Sequence, residues 1–176
     1  MTIAKPPSQA GCVWVKECVE VCDGPTVYVE DEGVRATFRN PKRAQVRKVH
    51  FDGCYSRAHG AYHADFILCL PGVVDVVIEL KGSHTNLKHA AEQVASTLEA
   101  WALDSNRGPR RAALIIYGMI HKSDSLPRRQ PRARSSVQTV IGDFKAEVQG
   151  KILLLIHEHG ERQFNFNDFL RKSDVR

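Results

Sequence analysis

The feature that most constrains the fold is a pair of apolar segments of strand length joined by a two-residue turn. Ala64–Leu70 and Val73–Leu80 are separated only by Pro71-Gly72, a dipeptide typical of tight turns, so we expect them to pair as antiparallel strands. Val73–Leu80 is apolar almost throughout, which is typical of a strand covered on both faces. The sequence therefore predicts a sheet with this hairpin near its centre.

The segments around the hairpin extend it into an α/β pattern. From His84 to about Leu103, apolar residues recur at three- and four-residue steps, which predicts an amphipathic helix. Ala112–Ile120 follows as an apolar strand that a crossover helix would set parallel in the same sheet. The remaining expected elements are a short helix over Val13–Cys22 (with a strand as the alternative), an edge hairpin of Thr26–Glu30 and Val34–Arg39, a strand at Ala44–Phe51, a helix over Val137–Gln149 and a strand at Ile152–Ile156.

The length of 176 residues fits one domain, and a chain of this size can bury roughly 70% of the surface that its unfolded form exposes. Pro6 and Pro7 disfavour helix and ladder bonding, so residues 1–11 are expected to form a flexible tail. We expect residues 12–176 to form a single domain with its core at about 44–120. Residues 122–136 combine prolines, serines and arginines with few apolar side chains, which predicts a solvated loop.

Composition excludes several classes of protein. No apolar run approaches the roughly 20 residues that span a bilayer, and the N-terminus has no apolar signal region, so we expect a cytoplasmic protein without a membrane partner. Five cysteines without an export signal indicate reduced thiols rather than a disulfide framework. The spacings of Cys54, His59, His63 and Cys69 do not match a zinc site. Phosphate-loop, GxSxG and HExxH motifs are absent.

Three charged residues lie at the ends of the central hairpin strands. Asp65 opens the first strand, and Glu79 and Lys81 end the second. Strand residues two apart share a face, and the antiparallel turn brings the start of one strand beside the end of the other, so the three should converge. Paired carboxylates hold Mg²⁺ or Mn²⁺, and a nearby lysine can orient or deprotonate a metal-bound water. The pattern predicts phosphodiester hydrolysis; the alternative is solvated strand ends and a turn cap.

The sequence Ala64-Asp65, thirteen further residues and then Glu79-Leu80-Lys81 resembles the signature of the PD-(D/E)XK nuclease superfamily, with Ala64 in place of proline. The order strand, strand with Asp, strand with Glu-X-Lys, helix, strand is similar to that family's core over about residues 44–120. The resemblance implies a restriction-endonuclease-like α/β fold, in which helices flank a mixed central sheet. It also implies that Asp65, Glu79 and the Leu80 carbonyl bind the metal and that Lys81 assists the attacking water.

The resemblance implies two further site residues. Gln93 lies twelve residues past Lys81 on the predicted helix, where some recombination-type members place a functional glutamine, although Thr97 stands where a tyrosine usually follows. A solvated helix face is the alternative interpretation. The family often adds an acidic metal-site residue on its first helix, and here Glu17 is preferred over Glu20.

The charge distribution indicates a polyanionic partner. Twenty-five basic and 20 acidic residues give a net charge of +5, which permits binding to nucleic acid. We expect the substrate to be DNA or RNA, with DNA preferred, held at its phosphates without base reading and therefore recognised by structure or ends. The small size suggests a homodimer or a subunit of a larger complex. The alternatives are a catalytically inactive nucleic-acid-binding or scaffold subunit with the same fold and an unrelated α/β binding protein. The arginines expected to contact phosphate are Arg128, Arg129, Arg132 and Arg134.

Overall fold

The described part of the chain builds two β-sheets and one long α-helix. The computed structural model describes residues 17–55, 62–82, 87–104, 107–117, 153–158 and 163–170. None of the helices in these ranges is long and apolar enough to cross a membrane. The elements are β1 Val19–Cys22, β2 Thr26–Asp31, β3 Val34–Arg39, β4 Val46–His50, β5 Phe66–Leu70, β6 Val74–Lys81, α1 Leu87–Ala102, β7 Arg111–Tyr117, β8 Leu153–Glu158, β9 Gln163–Asn165 and a 3₁₀ helix at Phe166–Phe169.

The larger sheet has six strands in the order β1-β4-β5-β6-β7-β8. The pairs β1–β4, β4–β5 and β5–β6 are antiparallel. The pairs β6–β7 and β7–β8 are parallel, so the sheet is mixed. The central hairpin is confirmed, with Phe66 opposite Ile78 and Leu70 opposite Val74. Its turn is possible because Gly72 adopts a φ of +73°, a conformation that glycine adopts without a Cβ clash. The predicted helix is confirmed as α1, which connects β6 to the parallel strand β7.

One hydrophobic core lies between α1 and the six-stranded sheet. Apolar residues at three- and four-residue spacing on α1 pack against side chains that alternate along the strands. Asp75 is buried here at the start of β6, where its carboxylate accepts hydrogen bonds from Trp101 Nε1 at 2.8 Å and from the Gly108 N–H. This carboxylate therefore holds the end of the helix to the sheet. The helix residues of this core are Ala90, Ala91, Val94, Ala95, Leu98 and Trp101.

A second core lies on the opposite face of the large sheet, under a three-stranded sheet of order β2-β3-β9. Alternation in β2 buries Val27 and Val29 and exposes Tyr28. The fully buried Phe38 ring has the rings of Phe164, Phe166 and Phe169 at centroid distances of 5.5, 5.3 and 5.7 Å. The expectation that this hairpin only decorates a sheet edge is wrong, because it covers a face and pairs with β9.

Two other expectations are wrong, and two lie outside the described residues. The helix predicted over Val13–Cys22 is wrong at Val19–Cys22, which forms strand β1 and pairs with β4, whereas Glu17 is helical and residues 13–16 lie outside the described ranges. The expectation of reduced thiols fails at Cys18 and Cys54, which form a disulfide. Cys22 and Cys69 are free. The predicted helix at Val137–Gln149 and the loop at 122–136 fall outside the described ranges.

We expect reduction to lower the stability of the protein through this disulfide. The bridge closes a loop of 36 residues between β1 and the turn after β4, and cross-links of this kind typically contribute about 2–4 kcal/mol. The free energy of unfolding should fall by that amount when a reductant is added to a urea titration. A Cys18→Ser/Cys54→Ser variant should be insensitive to reductant, whereas equal sensitivity in the variant would contradict the assignment.

Candidate functional site

The register of the central hairpin places Asp65 beside Glu79. Phe66 and Ile78 are the last paired residues of β5 and β6 at this end, and Asp65 and Glu79 are the next residue on each strand. The Asp65 N–H donates a hydrogen bond to Glu79 Oε2 at 3.2 Å, and the Leu80 N–H donates to Asp65 Oδ2 at 2.7 Å. Each carboxylate therefore accepts a backbone N–H of the other strand, which fixes both side chains at the end of the ladder.

Lys81 completes the group of three that the sequence pattern predicted to converge. It lies two residues after Glu79 on the same face of β6, and its Nζ forms an ion pair with Glu79 Oε1. The Glu79 side chain has no exposed surface, whereas 17% of the Lys81 side chain is exposed. The structure thus brings Asp65, Glu79 and Lys81 together, with Glu79 fully buried and the other two side chains partly exposed.

The site holds two carboxyl groups but only one positively charged group, and burial makes ionisation of both carboxyl groups unfavourable. Burial raises the pKa of Glu79 to about 8, and the neighbouring charge of Asp65 raises it further while Lys81 lowers it. Burial also raises the pKa of Asp65 to about 7, against the lowering effect of the Leu80 N–H. Burial acts to lower the pKa of Lys81, but its hydrogen bond to Glu79 and the charge of that carboxylate outweigh burial and raise it. One ammonium group therefore faces two desolvated carboxyl groups.

These shifts predict that the metal-free protein loses stability as the pH rises. The folded-state pKa of Glu79, about 8, lies above its ordinary value of 4.5, so between these values the unfolded chain releases a proton that the folded chain retains. The free energy of unfolding should therefore fall from about pH 5 to pH 8. A Glu79→Gln variant lacks this ionisation and should gain roughly 1–3 kcal/mol relative to the wild type across that range.

Urea titrations in the presence of EDTA measure this difference. Glu99→Gln is the matched control, because Glu99 is an exposed acid on α1. The free energy of unfolding of this variant should equal that of the wild type at every pH. Parallel curves for Glu79→Gln and the wild type would show that ionisation of Glu79 is not linked to folding.

The tip of the β2–β3 hairpin brings two further acidic residues to the site. Asp31 shares the inward-facing parity of Val27 and Val29, so alternation directs it toward the large sheet. It hydrogen-bonds to Asp65 and helps to raise the pKa of that residue, after burial as the main cause. Glu32 Oε2 accepts a hydrogen bond from the Gly82 N–H at 3.4 Å. The sequence reasoning missed both residues, because Asp31-Glu32-Gly33 indicated only a turn.

The turn itself explains how these acids are held. Glu32 and Gly33 adopt φ values of +47° and +76°, the left-handed pair expected of the tight turns that suit twisted hairpins. The Glu32 N–H donates a hydrogen bond to Asp31 Oδ1 at 2.9 Å, which stabilises the non-glycine residue in this conformation. A left-handed non-glycine residue is uncommon, and here it lies beside the candidate site.

Gln93 and Thr97 hold the segment that leads into Asp65. Gln93 is buried on α1, so the alternative of a solvated helix face is wrong. Its Nε2 donates a hydrogen bond to the His63 carbonyl at 3.0 Å, and Thr97 Oγ1 accepts one from the Ala64 N–H at 2.7 Å. The buried Gln93 Oε1 accepts no hydrogen bond from any residue in the described ranges. The structure therefore gives Gln93 a positioning contact, and its catalytic role stays a prediction.

Of the two acidic residues expected from a first helix, Glu17 is helical and Glu20 is on strand β1. Glu17 is exposed just before β1, and Glu20 is exposed on β1, where it forms an ion pair of 2.6 Å with Lys48. Strand β4 lies between β1 and β5, which separates these strands by about 10 Å. The structure brings Asp31 and Glu32, rather than Glu17 or Glu20, to Asp65.

The remaining sequence candidates do not join the site. The disulfide occupies Cys54, and Cys69 is buried in β5, where burial raises the pKa of its thiol. Within the ranges that the structure describes, no three His, Cys, Asp or Glu side chains are arranged to hold a metal ion by themselves. The predicted phosphate-binding residues Arg128, Arg129, Arg132 and Arg134 lie outside those ranges, as does His59.

Comparison with known proteins gives no information on function, so the function is inferred from the chemistry of the site. No family model, curated protein or solved structure matches this chain. What the described residues offer is a pair of hard oxygen donors, a partly exposed lysine and more carboxyl groups than this one lysine can balance. This combination suits a divalent cation and a negatively charged substrate.

Proposed function

We propose that this protein is a metal-dependent nuclease with a restriction-endonuclease-like fold, which hydrolyses phosphodiester bonds in nucleic acid, with DNA as the expected substrate. The observation that carries the proposal is the fully buried Glu79 beside the half-buried Asp65 at the end of β6, with Lys81 as the ion-pair partner of Glu79. A buried carboxylate without sufficient positive charge is costly. A divalent cation supplies that charge, which is why we prefer a metal site to a structural ion pair.

The donor set fits Mg²⁺ or Mn²⁺. Mg²⁺ is usually held by one or two carboxylates, with waters and substrate phosphates as its other ligands, and Asp65 and Glu79 would be those carboxylates. In an antiparallel ladder the N–H and C=O of one residue point to the same neighbouring strand. Since the Leu80 N–H points to Asp65, its carbonyl lies on the same side and would be the third ligand. When bound, the cation lowers the pKa of a water ligand and polarises the scissile phosphate.

Lys81 acts on the substrate side of this site. Its ammonium group is held by Glu79, and its side chain is partly exposed, whereas that of Glu79 is fully buried. It can orient the attacking water and stabilise the negative charge that develops on the phosphate oxygens. Asp31 and Glu32, on the facing hairpin tip, keep the local potential negative, which favours retention of a cation.

The order of the elements supports the nuclease fold. The Asp-bearing strand β5, the Glu-X-Lys strand β6, helix α1 and the parallel strand β7 follow one another as the family signature implies. Backbone binding by Arg128, Arg129, Arg132 and Arg134 stays a prediction, as does assembly into a homodimer or a larger complex.

A cleavage assay tests the proposal directly. End-labelled single-stranded, duplex and branched DNA and an RNA strand are incubated with the protein and Mg²⁺, Mn²⁺ or EDTA. We expect cleavage of at least one substrate with either metal ion and none with EDTA. Binding without cleavage in every condition would favour the inactive nucleic-acid-binding alternative, and the absence of both would overturn the proposal.

A further inference from the structure

A highly exposed tyrosine lies next to the candidate site on a firmly held backbone. Tyr62 is 77% exposed and stands three residues before Asp65. Three residues of extended chain span at most about 10 Å, so the Cα atoms of Tyr62 and Asp65 lie within that distance of each other. An exposed aromatic ring therefore lies close to the candidate site.

The backbone between Tyr62 and Asp65 is fixed by hydrogen bonds at three consecutive residues. The His63 carbonyl accepts a hydrogen bond from Gln93 Nε2 at 3.0 Å. The N–H groups of Ala64 and Asp65 donate to Thr97 Oγ1 at 2.7 Å and to Glu79 Oε2 at 3.2 Å. Since α1 and β6 both hold this segment, Tyr62 is presented at a fixed position relative to Glu79. An aromatic group ordered before binding loses less entropy when a ligand stacks on it.

His89 supports the tyrosine ring from the first turns of α1. The two rings meet edge to face, with centroids 5.6 Å apart and an interplanar angle of 70°. The His89 side chain is 46% exposed, so the pair forms a polar aromatic surface rather than part of a core. Edge-to-face contact orients a ring while leaving much of it open to solvent.

We propose that Tyr62 is a base-stacking residue of the proposed nuclease, and that the substrate is unpaired within about three nucleotides of the scissile phosphate. The inference rests on the proposed function and adds its substrate class, single-stranded nucleic acid or a single-stranded end. One strand of nucleic acid advances about 3.4 Å per nucleotide in a duplex, so the 10 Å reach corresponds to about three nucleotides. A base inside a duplex has both faces stacked, whereas an unpaired base can stack on an aromatic side chain.

Tyr28 provides a matched control for this role. It is 51% exposed and lies on the opposite face of β2 from Asp31. Its ring is flanked by Arg35 and Lys48, at 4.9 and 5.4 Å from the ring centroid. Replacement of Tyr28 also removes an exposed tyrosine, but Tyr28 lies on β2 and not in the segment that precedes Asp65.

The test compares binding and cleavage of a single strand and of its duplex. Fluorescence anisotropy with Ca²⁺ in place of Mg²⁺ measures binding without turnover, and Mg²⁺ reactions measure cleavage of the same labelled oligonucleotides. We expect Tyr62→Ala and Tyr62→Leu to weaken single-strand binding about five- to a hundredfold, the range typical of one stacked base. Tyr62→Phe and Tyr62→Trp should retain it, Tyr28→Ala should match the wild type, and thermal unfolding of all variants should be similar.

Each other outcome counts against a specific claim. Unchanged single-strand binding in Tyr62→Leu, an equal loss in Tyr28→Ala, or faster wild-type cleavage of the duplex would overturn the role of Tyr62. These results leave Mg²⁺-dependent cleavage by the wild type intact. If the wild type neither binds nor cleaves any oligonucleotide, the proposed function itself fails.

Discussion

Replacing Glu79 with glutamine should reduce Mg²⁺-dependent cleavage by about a thousandfold or more. The variant keeps the size of the side chain and one oxygen, but it removes the negative charge of a fully buried carboxyl group that we propose as a metal ligand. A metal ion at such a site contributes several kcal/mol of transition-state stabilisation, and each 1.36 kcal/mol corresponds to about a tenfold change in rate. Single-turnover cleavage rates at saturating protein measure the loss.

Two controls separate a catalytic from a structural effect of this change. Glu99→Gln alters an exposed carboxyl group on α1 and should cleave at the wild-type rate. Calorimetric titration should show that Mn²⁺ binds the wild type and binds Glu79→Gln much more weakly, while circular dichroism shows that both are folded. A Glu79→Gln variant that cleaves within tenfold of the wild type would remove Glu79 from the proposed site.

Phe38→Ala should lower the free energy of unfolding by about 3–5 kcal/mol. Phe38 is fully buried and contacts three other phenylalanines that join β3 to the C-terminal part of the fold. Truncation of a buried phenylalanine removes its apolar transfer energy and leaves a cavity, which gives losses of this size. Urea denaturation followed by circular dichroism measures the change.

The neighbouring strand supplies the comparison for Phe38. Tyr28→Ala removes an aromatic ring from the exposed face of the same hairpin, and its cost should stay below about 1 kcal/mol, in the range of an exposed cation–π contact. A loss of less than 1 kcal/mol for Phe38→Ala would show that the small sheet does not share a core with the large one.

Sequence reasoning succeeded where the chain pattern is local. The Pro71-Gly72 turn and the apolar segments beside it determine the β5–β6 register, and that register alone places Asp65 beside Glu79. The three- and four-residue apolar spacing likewise identified α1. These elements need only neighbouring residues to be recognised, because turn chemistry and side-chain period act over short stretches of chain.

The features that were missed depend on contacts between distant segments. Nothing near Asp31 and Glu32 indicates that their turn will lie against the end of β6, and nothing near Cys18 indicates Cys54 as its partner. Val19–Cys22 has mixed apolar spacing that fits a helix or a strand, and only its pairing with β4 decides the outcome. Tertiary contacts override such weak local preferences.

The pairing of β3 with β9 bears on how the protein folds during synthesis. Arg39 and Gln163, 124 positions apart, are joined by a hydrogen bond of 2.9 Å between their side chains at this parallel pair. The β2–β3 hairpin is therefore translated long before the strand that covers its open edge, and contacts of such high sequence separation form slowly. Nascent chains that stop short of β9 should expose Phe38 and an unpaired strand edge, which makes them substrates for chaperones.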